Sequence, residues 1–259
     1  MEQEPRALKE GAPSANSDAP PMVTRMPARL GPLLLLALAL TSLAAPTRAQ
    51  DVDAGPASAA QVASSVQSFY DATTSVEADF QQFFWTRVYS RTDSSRGRLR
   101  IARPGRIRFD YTEPSGKIVV GSGDQFTYFE PGDDGTAGQY YRATTDVASR
   151  ALGFLTGTSR LDRDFNFALR ASTTGPAHTA CLELRPRAPD PHYTRIRLYV
   201  STEPATRGAV MQVAIEDGDG NWNTFRFSNF HFNRELDAST FEYTPPEGAR
   251  EITAPTSTH

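Results

Sequence analysis

The 259-residue chain contains one cysteine, Cys181, so no internal disulfide can form. Histidine is also scarce, and its four positions, 178, 192, 231 and 259, stand at no metal-ligand spacing. Gly-x-Ser-x-Gly and His-Glu-x-x-His are missing, as is a cysteine–histidine pair with local context, so the familiar hydrolase signatures are absent. Gly121-Ser122-Gly123 lacks the lysine and the following helix of a phosphate loop. Asp217-Gly218-Asp219-Gly220-Asn221 opens like a calcium loop. However, the Gly and Glu that such a loop needs at its sixth and twelfth positions are Trp222 and Ser228, so a hairpin turn is expected. An excess of positive charge is also lacking: the net charge is −3, which argues against a general polyanion binder. The expectation is no enzyme, no metal, no cofactor and no nucleic-acid partner.

Long hydrophobic runs are missing as well. The apolar stretch from Leu33 to Leu43 falls short of the ~20 residues of a membrane span. Arg25 and Arg29 precede it, and Thr47-Arg48-Ala49 stands before Gln50, which is the pattern of a cleaved secretory signal. Residues 1–49 are therefore expected to be an N-terminal extension plus signal peptide, with translation starting at Met22 or Met26. Residues 50–57 read as a flexible lead. Gln50, not a cysteine, stands directly after the cleavage point, so a lipoprotein acylation site on this chain is not expected.

Aromatic residues are plentiful, with fifteen Phe, nine Tyr and two Trp. From Ser58, a good N-cap, Ala59, Val62, Val66, Phe69, Tyr70 and Thr73 recur at helical spacing, predicting a helix over 58–74. The period then changes to two. Ala78, Phe80, Phe84 and Val88 alternate with polar residues, as do Leu99/Ile101 and Ile107/Phe109/Tyr111. Further strands are expected at 116–121, 124–130, 138–142, 164–172, 178–185, 193–200, 208–216 (Met211, Val213 and Ile215 inward), 221–231 and 240–243. Turn signals such as Arg103-Pro104-Gly105 and Glu113-Pro114-Ser115-Gly116 separate them. One apolar-faced helix is expected within 144–157, carrying Val147, Ala151, Leu152 and Leu155 and ending at Gly157. The fold class is mainly β with a few short helices: an antiparallel meander curled into a barrel or half-barrel over 58–252, followed by a disordered tail at 253–259.

Arg98 to Tyr111 holds five arginines in fourteen residues. Alternation puts four of them on the outer sheet face, while Arg103 stands at the turn. The inward residues fit either an ordinary filled core or a cavity for an apolar ligand with the 146–155 helix as its lid. Patterning alone leaves both open.

Three blocks narrow the choice: Phe80-Gln81-Gln82, Arg103-Pro104 followed by Phe109 and Tyr111, and Phe241-Glu242-Tyr243-Thr244-Pro245-Pro246-Glu247-Gly248. In this order, over roughly 58–252, the sequence resembles the LolA family of periplasmic outer-membrane lipoprotein carriers. The resemblance implies an unclosed antiparallel barrel (half-barrel) covered by a helical lid, with an apolar cavity for lipoprotein acyl chains. By position, Arg103 would be the latch holding the lid shut. Candidate cavity residues are Phe80, Leu99, Ile101, Ile107, Phe109, Tyr111, Val119, Tyr128, Val147, Ala151, Leu152, Leu155, Ile196 and Leu198. The implied partners are acylated lipoproteins, an inner-membrane lipoprotein-releasing ABC transporter and, where present, an outer-membrane acceptor. The carrier itself would act in the periplasm as a monomer. Two positions depart from the family pattern, Ile107 where an aromatic is usual and Thr127 where a tryptophan is common. The alternative is a related half-barrel that binds free lipid or senses lipoproteins.

Overall fold

In a computed structural model, which describes residues 57–133, 135–144, 152–171 and 174–254, one helix precedes a long run of strands. Helix α1 (Ala59–Asp71) begins where expected. The Ser58 side chain accepts from Gln61 N–H and the Gln61 side chain accepts from Ser58 N–H, closing a capping box. Val62, Ala63, Val66 and Tyr70 form its buried face. The helix stops at Asp71, so Thr73 lies beyond it and donates its hydroxyl back to Phe69 O.

The strands are β1 (Ser75–Thr86), β2 (Arg91–Ala102), β3 (Arg106–Glu113), β4 (Ser115–Ser122), β5 (Gln125–Glu130), β6 (Gln139–Ala143), β7 (Phe165–Arg170), β8 (Thr179–Pro186), β9 (Arg195–Ser201), β10 (Val210–Glu216), β11 (Trp222–Phe232) and β12 (Arg250–Glu251). They form one sheet in the order β12-β6-β5-β4-β3-β2-β1-β11-β10-β9-β8-β7. All pairs are antiparallel except β12 on β6, and the outermost strands β12 and β7 do not pair with each other. The sheet is thus an unclosed meander with β1 at its centre. Two further helical turns, α2 (Gly153–Thr156) and α3 (Leu161–Asp164), lie between β6 and β7.

Several expectations change. Val88 is not an inward strand residue: it sits at the β1–β2 hairpin tip and is 81% exposed. Met211 is only half-buried, because a bulge between Val210 and Gln212 turns Val210 into the core instead. Residues 240–243 are not a strand. Asp237 accepts from Ser239 N–H and Glu242 N–H bonds Ser239 O, so local bonds wind Ala238–Phe241 into a 3-10 turn. Strand β12 and helix α3 have no counterpart among the expected elements. Of the expected 144–157 helix, the described part is helical over Gly153–Thr156, and Gly157 caps it with φ +82°. Val147 and Ala151, the start of that helix, the leader at 1–49 and the end of the tail lie outside the described residues. The Asp217–Asn221 loop is a hairpin turn: the Asp217 carboxylate accepts from Asp219 N–H and Asn221 N–H.

Candidate functional site

One side of the sheet faces α1 and α2, and its apolar side chains meet in a single core. Phe80 lies edge-on to Phe109 at 5.3 Å and to Tyr111 at 5.0 Å, with Phe225 at 6.2 Å. The helices cover this floor. Tyr70 of α1 lies edge-on to Phe154 of α2 at 5.9 Å, and Leu152 and Leu155 are buried beside them. Phe80, Leu99, Ile101, Ile107, Phe109, Tyr111, Val119, Leu152, Leu155, Ile196 and Leu198 all belong to this cluster. Tyr128 packs against its edge, half-buried and stacked on Tyr141 at 4.6 Å. The described candidate residues, drawn from seven separate elements, are therefore brought together on one apolar interior. Phe154, Phe225 and Phe227 belong to it too. The 2.0 period of β11 could have identified the last two, whereas Phe154 lies on a helix one turn long.

The covering segment is held down at the β2–β3 turn. Gly105 N–H donates to Thr156 O at 2.9 Å, the last residue of α2. Arg103 N–H donates to Thr74 O at 2.9 Å, anchoring the turn to the chain after α1. The Arg103 guanidinium lies across Gly157, where a Cβ would come within 2.8 Å of its Nη2. Nη2 reaches Asp71 Oδ1 at the end of α1 at 3.5 Å, and Arg160 Nη1 approaches the other Asp71 oxygen at 3.8 Å. Among the described residues, Arg103 Nη1 is buried without an acceptor. So Arg103 sits over the end of α2, its hydrogen bond goes to α1, and the bond to the α2 backbone comes from Gly105. Beside it, burial pushes the Tyr70 phenol pKa up, against the pull of the Val210 N–H that it accepts and of the Arg103 charge.

The arginines of β2 and β3 are largely engaged on the opposite face. Arg100 pairs with Glu77 at 3.0 Å and Asp110 at 2.7 Å, and Arg98 with Asp79 at 3.6 Å. Arg108 donates to Thr240 O and Glu242 O, and its guanidinium lies 5.9 Å from the Tyr243 ring centre. Arg106 lies over Phe241 at 5.2 Å. These two arginines fasten the C-terminal segment across β3, which then ends as β12 beside β6. On the other wing Glu183, 3% exposed, is surrounded by Arg170, Arg185, Arg195 and Arg197 at 3.1–3.6 Å. Burial opposes its ionisation, but hydrogen bonds from Arg170 and Arg197 and the arginine charges hold its pKa below the ordinary carboxylate value.

The sequence pattern described as "Outer membrane lipoprotein carrier protein LolA" matches residues 71–244. The outer-membrane lipoprotein carrier protein of Dechloromonas aromatica is 27% identical over 189 residues, covering 71% of this chain and 84% of its own. That of Nitrosomonas europaea is 24% identical over 220 residues, covering 85% and 97%. A crystal structure of a LolA superfamily protein from Nitrosomonas europaea aligns over 73% of this chain and 99% of its own, at 12% identity and a TM-score of 0.42. With the family pattern running through about two thirds of the sequence, from the end of α1 to Thr244 beyond β11, this chain belongs to the LolA family of outer-membrane lipoprotein carrier proteins.

Proposed function

We propose that the chain is a periplasmic chaperone that takes the acyl chains of lipoproteins into the interior beneath α1 and α2. In this reading it receives them from an inner-membrane lipoprotein-releasing ABC transporter and delivers them to the outer membrane, to an acceptor where one exists. The observation that carries it is the apolar interior itself. It is continuous across the sheet, and its cover makes few polar contacts with the sheet, at the β2–β3 turn and at Val210 N–H on β10.

The physical need is large. Each methylene removed from water is worth ~0.8 kcal/mol, so three chains of about sixteen carbons amount to ~40 kcal/mol. Such a cargo does not cross an aqueous compartment unless something encloses it. The interior of this state is filled by Phe80, Phe109, Phe154 and Phe225, each at most 4% exposed. Loading therefore lifts the cover and exchanges side-chain contacts for acyl-chain contacts. The difference between the two sets of contacts, rather than their sum, fixes the affinity. That keeps the carrier weak enough to give its cargo up. Ile107, where the family usually has an aromatic, lies on this floor with Leu99 and Ile101 and takes part as an aliphatic wall residue.

The test mixes residues 50–259 with a triacylated lipoprotein and with its unacylated form and reads both by native mass spectrometry. A one-to-one complex with the acylated form alone supports the proposal. Equal complexes with both forms, or retention of free phospholipid with no lipoprotein bound, contradict it.

A further inference from the structure

The Phe80-Gln81-Gln82 block contains a residue that an apolar interior does not call for. Gln82 pairs with Phe225 on β11 and Ser95 on β2, and so faces the core side of the sheet with its partner Phe225. Continuing along that rung through β10, β9 and β8, the residues are Val213, Leu198 and Leu182, all buried. In this apolar row Gln82 forms a hydrogen-bonded chain. Tyr111 Oη donates to Gln82 Oε1 at 2.8 Å, and Gln82 Nε2 donates to Asn223 Oδ1 at 2.9 Å. Three strands, β3, β1 and β11, each supply one member.

The place of this chain along the sheet matters. On one side lie Phe80, Phe109 and Phe225, all buried. On the other, β1 runs through half-buried Phe84 to the exposed hairpin tip at Val88 and Tyr89. Gln82 and Asn223 are themselves half-buried, so the chain marks the boundary between the dry interior and water.

Its donor balance is one-sided. The carbonyl oxygens of both amides are used within the chain, by Tyr111 and by Gln82. An amide nitrogen carries two donors. The second Gln82 Nε2–H and both Asn223 Nδ2–H groups have no acceptor among the described residues. A row of donors at the rim of an apolar interior suits a ligand with apolar chains and carbonyl acceptors at their head.

We infer that Gln82 and Asn223 form a polar subsite for the ester carbonyls that join acyl chains to their head group, with Tyr111 positioning the Gln82 amide. This rests on the acyl-chain reading above and adds to it a fixed depth of insertion: the chains lie inside and the ester groups stop at the Gln82 row. Few polar groups placed so at an apolar site set orientation more than affinity.

The test compares ligands that differ only at the ester. The mature chain is titrated with a synthetic diacylglyceryl lipopeptide and with its dialkyl-ether counterpart of equal chain length. A diester and a diether phosphatidylglycerol form a second pair. One or two hydrogen bonds of ordinary net strength give roughly a five- to tenfold preference for the ester. The subsite predicts that preference in the wild type. In Gln82→Leu it falls below about twofold through weaker binding of the ester, and in Tyr111→Phe it is intermediate. If Gln82→Leu does not fold, Asn223→Leu and the wild-type ratio decide. Preference in the lipopeptide pair names a lipoprotein as the source of the esters, and preference in the phosphatidylglycerol pair alone names a phospholipid. Equal binding of ester and ether overturns the subsite and leaves the carrier reading standing. Binding of neither lipopeptide overturns both.

Discussion

At the scale of single residues, Gly157 and Arg103 depend on each other. Gly157 has φ +82°, a region costly for a side chain, and a Cβ there would strike the Arg103 guanidinium. Gly157→Ala is expected to destabilise the protein by about 1–3 kcal/mol, measured by urea unfolding. Asp71→Asn touches the same cluster, but its pair with Arg103 is 3.5 Å long and partly solvated, so a loss under ~1 kcal/mol is expected. Arg103→Leu removes the contact over Gly157 and leaves the Gly105–Thr156 bond in place. The amides of residues 152–159 should then exchange about tenfold faster with deuterium, with β8 and β9 unchanged. Glu183 behaves differently, because four arginines surround a nearly inaccessible carboxylate. Its pKa is lowered on folding, so its stabilisation is present above the ordinary carboxylate pKa and is lost as pH falls through the folded value. Glu183→Gln should cost about 1–2 kcal/mol at pH 7, because the arginines it leaves are partly solvated, and flatten the acid limb of a stability–pH profile. An unchanged acid limb would show that the cluster contributes nothing on folding.

At the scale of elements, the clearest stretches in the sequence were those with a pure period. Helix α1 followed from a capping serine and apolar spacing, and β2 and β3 from Leu99/Ile101 and Ile107/Phe109/Tyr111. Where a local bond or a bulge breaks the period, alternation points to the wrong residue. Val210 replaced Met211, and the Asp237 cap turned 238–241 away from a strand. The outer arginines also gained a clear role. Alternation placed them on the outer face, but only the folded chain shows that Arg106 and Arg108 clamp a segment 132–135 residues later in sequence. Arg108→Ala loses both carbonyl bonds and the stacking on Tyr243. The segment from Ala238 to Glu251 is expected to become several-fold more sensitive to limited proteolysis, with the β1–β2 hairpin protected as before.

At the scale of the molecule, the half-barrel was legible because its interior residues are separately apolar on each strand, so no long-range information was needed to find the lining. The cluster around Arg103 was legible only in part. Arg103 stands out at a turn, whereas Asp71, 32 positions earlier, and Gly157, after α2, become its neighbours through tertiary packing. Gln82 and Asn223, 141 positions apart, meet for the same reason. The central claim is that acyl chains enter on the α1-covered side of this sheet. Two adjacent residues test it directly. Phe83 and Phe84 are both half-buried on β1 and, as consecutive strand residues, point to opposite faces: Phe84 pairs with Asn223, and Phe83 lies under Arg226 on the outer side. A photo-reactive phenylalanine analogue is placed at either position and irradiated in the presence of a triacylated lipoprotein. The predicted result is cross-linking to the ester end of the bound lipoprotein from position 84, just outside the Gln82 row on the α1-covered face, and little from 83, whereas equal yields, or capture from 83 alone, would contradict an interior site.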